Sequence, residues 1–398
     1  MKPRRTILYL CLGAVAACEA DRPVGVGLDP AASLTMNALS TFSFSSMATG
    51  IGNNGNLQVI AIGASDGLPY LVYQVKSSGS WYWFGKLPNP NNVRFNSVTT
   101  GIGNNGNLQV IGIGASDGFP YLIYQVKSSG SWYWFGRLPD PSNVRFSLAT
   151  TGKGNVGNLQ VIGIGASDGR PYLIYQVNSS GSWYWYGQLP DPNGVQFGAL
   201  ATVRGYGDTT LHVIGRSVSD GLLYLIRQSG GNGGWFWYGQ LPNPNSVPMS
   251  AVTTICGGGC GTPWVISISA SGGLPYSTFQ STNSSWVWWG GLPDPNGIGF
   301  SKVTTGIGVD QYQGLQLEVI GIGTGDGRLY LISKGTSWFW NGQLPNPTGV
   351  PFKAVATGIG NGDNLQVIGL GANDQRLYLT YQVHSSGNWY FYGQLPIP

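Results

Sequence analysis

Leu57-Gln58-Val59-Ile60-Ala61-Ile62-Gly63-Ala64-Ser65-Asp66-Gly67-Leu68-Pro69-Tyr70-Leu71-Val72-Tyr73-Gln74-Val75 is the stretch that carries the fold. Two runs rich in β-branched and aromatic residues, Leu57 to Gly63 and Tyr70 to Val75, flank Ser65-Asp66-Gly67. An Asp-Gly pair tolerates the positive φ angles of a tight hairpin, so these runs predict paired antiparallel strands. Downstream, the polar turn Lys76-Ser77-Ser78-Gly79 leads to a further strand, Trp81-Tyr82-Trp83-Phe84. Upstream, the Gly/Asn-rich loop Gly52-Asn53-Asn54-Gly55 follows a strand of the Val98-Thr99-Thr100 type. Pro88 and Pro90 lack a ladder donor, so they end the pairing and carry the chain onward.

This unit recurs. The first Trp of the last strand falls at Trp81, Trp132, Trp183, Trp235, Trp286, Trp338 and Trp389, each followed by Leu-Pro. The units begin at Phe44, Phe95, Phe146, Phe197, Met249, Phe300 and Phe352, a period of roughly 51 residues. Four antiparallel strands per unit, repeated in this way, predict an all-β, seven-bladed β-propeller over residues 44–398. A solenoid would need polar caps on its terminal repeats, and the last unit is an ordinary one. Closure is expected from blade-to-blade packing, helped by residues 31–43.

Composition agrees. Aromatics make up 13% and charged residues 9% of the 398 residues, so there is ample apolar surface to bury. The net charge is +4, but Lys2, Arg4 and Arg5 supply three of the positive charges. Without residues 1–17 the balance is 17 basic against 16 acidic side chains, which gives no electrostatic footprint for nucleic acid. The basic start and the apolar run Ile7 to Ala17 read as an export signal too short to span a bilayer. Val15-Ala16-Ala17-Cys18 resembles the bacterial lipobox, which implies cleavage after residue 17 and lipidation of Cys18. Residues 18–43 then form a Pro/Gly-containing tether, and Glu19 in place of Asp points to the outer membrane or cell surface. The alternative is an ordinary signal peptide and a secreted product. Of the remaining cysteines, Cys256 and Cys260 enclose three glycines and are read as a disulfide-closed loop, with no metal site and no cofactor.

The pattern Leu-x-Val-Ile-x-Ile-Gly-x-x-Asp-Gly-x-x-Tyr, followed by Trp-x-Trp-x-Gly, resembles the repeats of lectin-type β-propellers. These include Photorhabdus-type seven-bladed lectins, tectonin-like lectins and Aleuria-type fucose lectins. The resemblance implies multivalent binding of glycans, fucosylated or methylated ones among them, in pockets between blades. The Leu-Pro-x-Pro connector departs from those families, so none of their site residues is carried over.

Catalysis is not expected. Asp66, Asp117, Asp168, Asp220, Asp326 and Asp374 share one hairpin turn, and Asp140, Asp191 and Asp294 sit in the connectors. Asp208, Asp310, Glu318 and Asp363 remain, and three of these fall in the loops between first and second strands of different blades, which are separated around a ring and cannot form the carboxylate pair of a glycosidase. His212 and His384 are too few for a triad or a zinc site.

Strand topology places Asn56, Gln58, Gln74 and Trp81 at one end of a blade. A planar ring beside amides suits a neutral sugar. The set recurs as Asn107, Gln109, Gln125 and Trp132, as Asn158, Gln160, Gln176 and Trp183, and as Asn364, Gln366, Gln382 and Trp389. The competing reading is that the amides only satisfy loop backbone groups. The fourth unit has Thr210 and His212 instead, the fifth has Trp264, and the sixth has Glu318 and Lys334. Blades 1, 2, 3 and 7 are therefore expected to bind sugar. The rival function is a structural or protein-binding propeller of the envelope.

Overall fold

The computed structural model describes residues 42–398, apart from 207–209, 231–232, 257–260 and 311–313. The export signal, Cys18, the tether before residue 42, and Cys260 with its proposed bond to Cys256 lie outside the described residues. The chain forms seven four-stranded antiparallel sheets, each with its strands in sequence order, arranged as a β-propeller. In blade 1 the strands are Phe44–Ile51, Leu57–Gly63, Pro69–Gln74 and Trp81–Lys86. The residues that open the seven sequence units also open the seven first strands.

Two strands outrun their sequence limits. The first strand of blade 2 spans Phe95–Ile102 rather than a Val-Thr-Thr core. The fourth strand of blade 1 continues past Phe84 because a bulge shifts the register between Leu71 and Val72, with Gly85 at φ +104°. That backbone conformation favours glycine, and it carries the chain two residues further.

Burial explains the unbroken apolar second strands. Every residue of Leu57–Gly63 is buried. Successive side chains point to opposite faces. Val59 and Ala61 pack with Ile368, Leu370 and Leu379 of blade 7, whereas Ile60 and Ile62 pack with Phe95, Leu108 and Val110 of blade 2. Each blade thus supplies half of two cores, and each fully buried aliphatic side chain contributes about 1.5–3 kcal/mol.

The ring closes by the same contacts that join its middle. The Oγ1 of Thr49 donates to the carbonyl of Thr357, Thr100 to Thr49, Thr151 to Thr100, and Thr202 to Thr151. Thr254 donates to Thr202, Thr305 to Thr254, and Thr357 to Thr305, which completes a circle of seven bonds of 2.5–3.0 Å. At the seam, the Phe44 amide also donates to the Gln375 carbonyl at 2.8 Å. Phe42 packs on Phe44, Tyr70 and Trp83 with ring centroids 4.7–5.4 Å apart.

Candidate functional site: the interblade clefts

The predicted residues do lie at one end of the ring, but their grouping differs from the expectation. Gln58 shares a strand face with Ile60, and Gln74 shares one with Val72. These faces meet blade 2 and blade 7 respectively. Each sequence set is therefore split between two interfaces. Gln58 meets Gln125 of the next blade, and Gln74 meets Gln366 of the preceding one.

The amides form a relay. Gln125 Oε1 accepts from Gln58 Nε2 and from the Asn53 amide, both at 2.9 Å, while its Nε2 donates to the Gly130 carbonyl at 3.1 Å. Gln176 repeats this with Gln109, Asn104 and Gly181. Gln74 repeats it with Gln366, Asn361 and Gly79. At the 3/4 interface Gln228 accepts from the Asn155 amide at 2.7 Å. Gly52 is required by close approach: a Cβ there would collide with Gln58 Nε2 and Gln125 Oε1. The Gln74-type amide is thus committed to backbone groups, as the competing reading expected. The Asn56 type is partly committed, because Oδ1 of Asn56, Asn107, Asn158 and Asn364 accepts a turn amide at 2.7–2.8 Å.

Some polar atoms remain uncommitted. Oε1 of Gln58, Gln109, Gln160 and Gln366 is buried without a protein partner. Nε1 of Trp81, Trp132 and Trp183 is likewise buried and unpartnered, as it is for Trp286 and Trp338 in the 4/5 and 5/6 interfaces. An unpaired buried polar group costs about 1–3 kcal/mol, so each of these atoms is a point at which a water or a ligand would gain a hydrogen bond. The tryptophans differ from their expected role. Trp183 is only 8% exposed and belongs to an interblade core, so its face is not an open stacking platform.

Two clefts show the complete arrangement. The 2/3 cleft, about 360 Å³, is lined by Asn107 and Gln109 from blade 2 and by Gln176 and Trp183 from blade 3. Tyr124 and Phe135 supply its aromatic wall. The 3/4 cleft, about 310 Å³, has Asn158, Gln160, Tyr175 and Tyr186 opposite Gln228 and Trp235. Sequence reasoning missed these walls and the Gln228–Trp235 pair. The signal was present: Tyr73 is the cross-strand partner of Gln58, and the alternation of Trp81-Tyr82-Trp83-Phe84 turns Phe84 away from Trp81. No Asp, Glu, Lys or Arg lines either cleft.

The other three interfaces depart. At 4/5, His212 takes the place of Gln58, and its ring lies 5.9 Å from that of Trp286. At 5/6, Trp264 stacks on Phe279 at 4.8 Å, and Lys334 replaces the relay Gln, with its ammonium 5.6 Å from Trp264 and 5.3 Å from Trp289. At 6/7, Glu318 takes the place of Gln58, 0% exposed, and bonds to Ser333 Oγ and to Gln316 Nε2 at 2.9 Å. Burial pushes its carboxyl up to about 8. Asp310 and Glu318 both belong to blade 6, in or beside its first hairpin. They do not form a glycosidase pair, because Glu318 has no exposed surface and both its oxygens are engaged. Among the described residues no group of three His, Cys, Asp or Glu side chains is placed to hold a metal.

The opposite end of the blades is structural. Asp66 accepts from the Leu68 amide at 3.0 Å and from the Tyr70 hydroxyl at 2.6 Å. Burial and this carboxylate push the Tyr70 hydroxyl up to about 12. In the connector, Asn89 exchanges two bonds with the Val93 backbone at 2.8 and 3.0 Å.

Fold and clefts define a seven-bladed propeller with small-ligand clefts between blades. No family model matches the sequence, and no curated protein matches it. Among solved structures, the chain is similar to the BP39L lectin from Burkholderia pseudomallei: 19% identity and a TM-score of 0.69, over 89% of this chain and 100% of that one. The fucose-specific lectin from Aleuria aurantia matches at 13% identity and a TM-score of 0.47, over 90% of this chain and 98% of that one. A polysaccharide lyase, Uly1, matches at 10% identity and a TM-score of 0.50, over 88% of this chain and 90% of that one. At these identities the similarity is one of fold.

Proposed function

We propose that this chain is a non-catalytic glycan-binding lectin, exported and lipid-anchored at the cell surface, with one weak neutral-sugar site at each of the 7/1, 1/2, 2/3 and 3/4 interfaces. The observation that carries the reading is the 2/3 cleft. It offers an uncommitted acceptor at Gln109 Oε1, an indole donor at Trp183 and an aromatic wall, with no lining Asp, Glu, Lys or Arg. Those are the groups that hold a ring with an apolar C–H face and several hydroxyls. The lectin fold neighbour supports this, and fucosylated or methylated glycans are the first to try. Four weak sites on one ring gain avidity on a glycan-coated surface. The anchor rests on Val15-Ala16-Ala17-Cys18.

Glycan arrays followed by titration calorimetry with the recognised monosaccharide test the reading. The expected stoichiometry is about four per chain, and Trp183→Phe removes one site by deleting its donor. A stoichiometry of seven, or no sugar bound on the array, overturns it. One observation favours the alternative of a protein-binding scaffold: Tyr82, Phe84, Tyr133, Phe135, Tyr184 and Phe236 stand 48–51% exposed along the outer strands. Large apolar groups repeated on a rim are a docking surface for another macromolecule.

A further inference from the structure

Blade 6 breaks a pattern that the other six blades keep. Gln74, Gln125, Gln176, Gln228, Gln280 and Gln382 end the third strand of those blades, and Lys334 ends it in blade 6. Lys334 pairs with Trp338 as Gln176 pairs with Trp183, so the backbone position is the same. The side chain stands in the 5/6 interface beside Trp264 of blade 5. An ammonium has no acceptor and cannot continue the amide relay.

The surroundings leave its charge without a partner. A cleft of about 370 Å³ is lined by Thr262 and Trp264 of blade 5 and by Leu315, Gln316 and Lys334 of blade 6, with no Asp or Glu in its lining. The two acids in and beside the first hairpin of blade 6 lie toward blade 7: Asp310 lines the cavity shared with that blade, and Glu318 bonds with Gln382 there. Residues 257–260 and 311–313, near the lining residues in sequence, carry no charged side chain. Lys334 is in none of the ion pairs among the described residues. Burial lowers its pKa, and no carboxylate opposes that effect. Of the three N–H donors of an ammonium, two go to the carbonyls of Gly335 and Thr336 at 3.1 and 3.0 Å. One donor and the charge remain. Trp289, whose ring lies 5.3 Å from the ammonium, is 46% exposed and stands where Phe135 and Tyr186 wall the 2/3 and 3/4 clefts. A partly dehydrated cation with a spare donor, next to an open aromatic face, favours a ligand that brings an anion on an otherwise apolar-faced ring.

We propose that the 5/6 cleft is a separate site for an acidic sugar of the uronic acid type, whose carboxylate accepts from Lys334 Nζ while the apolar face of its ring lies against Trp289. The site rests on the lectin reading only for the ligand being a sugar, and it does not need the four neutral clefts to bind anything.

Glucuronate, its uncharged methyl ester and glucose titrated into the full chain test the proposal. Glucuronate is expected at one site per chain, about tenfold tighter than the two uncharged sugars. Lys334→Gln brings glucuronate down to the level of its ester and leaves neutral-sugar binding elsewhere unchanged. Folding is not at stake in that variant, because six blades hold Gln at the same position. Lys334→Arg keeps the cation and keeps the preference for glucuronate. Trp289→Ala weakens glucuronate about fivefold by removing the face on which the ring lies. The Nζ resonance of Lys334 supplies a direct readout: its titration moves to higher pH when glucuronate is added. Acetate, a carboxylate without a ring, is expected not to displace glucuronate at equal concentration. Equal binding of glucuronate and its ester, unchanged affinity in Lys334→Gln, an unmoved Lys334 titration, or displacement by acetate each overturns the proposal. If neutral sugars bind nowhere and glucuronate still follows this pattern, the four-cleft reading fails and the 5/6 site stands. If neutral sugars bind four clefts and glucuronate gains nothing from Lys334, the 5/6 site fails and the four-cleft reading stands.

Discussion

The interfaces from 7/1 to 3/4 and those from 4/5 to 6/7 are built on the same backbone, yet they use it differently. In the first group, identical amides tie the blades together and leave one acceptor per interface uncommitted. In the second group the equivalent position is His212, Trp264 or Glu318, and each brings its own partner: Trp286, Lys334 or Ser333. The inner threonine circle runs through both groups without interruption. The ring is therefore held by its inner strands and cores, which frees the outer end of each interface to diverge.

The largest effect that would break this comparison is on stability. Gln176→Leu removes bonds to Asn104, Gln109 and Gly181, whereas Gln280→Leu removes bonds to Tyr206 and Ser284 only. Denaturant unfolding is expected to show a loss of about 3 kcal/mol for the first and about 2 kcal/mol for the second, given about 1 kcal/mol per bond. Equal losses would mean that the side-chain relay adds nothing to the backbone caps.

Glu318 gives the next effect, and it depends on pH. The folded carboxyl titrates near 8 and the unfolded one near 4.5, so the folded state binds the proton more tightly. Stability is then full below the unfolded value and falls as pH rises toward 8, by an amount on the order of a few kcal/mol. Thermal melts between those limits should show a declining Tm for the native chain and a flat one for Glu318→Gln. A native Tm that holds steady would show that Glu318 is not the buried acid described.

The smallest effect concerns the other end of the blades. Tyr121→Phe removes the bond to Asp117 and should cost about 1 kcal/mol. Sugar affinity at every cleft should stay unchanged. A loss of sugar binding would move the site to the hairpin end.

Much of the architecture was legible before any coordinates. The spacing of Trp81 and its equivalents, the Asp66-Gly67 turn and the proline connectors fix strand number, order and blade count. Pro88 cannot donate and Asp66 caps its own turn, so these effects are local and readable. The fourth strand was read two residues short because a bulge depends on pairing with Leu71, which is a register property. The site residues were legible as types and as an end of the blade, because strand topology alone places Asn56 and Trp81 at the same end. Their partnership was not. Gln58 and Gln74 lie on adjacent strands of one blade, yet they serve different clefts. For the same reason Gln228 and Trp235, in a unit that lacks its own Asn and Gln, complete the 3/4 cleft.

By itself, then, the sequence determined the repeat, the strand order and the residue types at each blade end, because these follow from periodicity and turn chemistry within about 50 residues. Only the tertiary structure decided which side chains of neighbouring blades meet and which residues share each cleft. The physical reason is that a strand buries both its faces, and its second face is covered by residues a full repeat away.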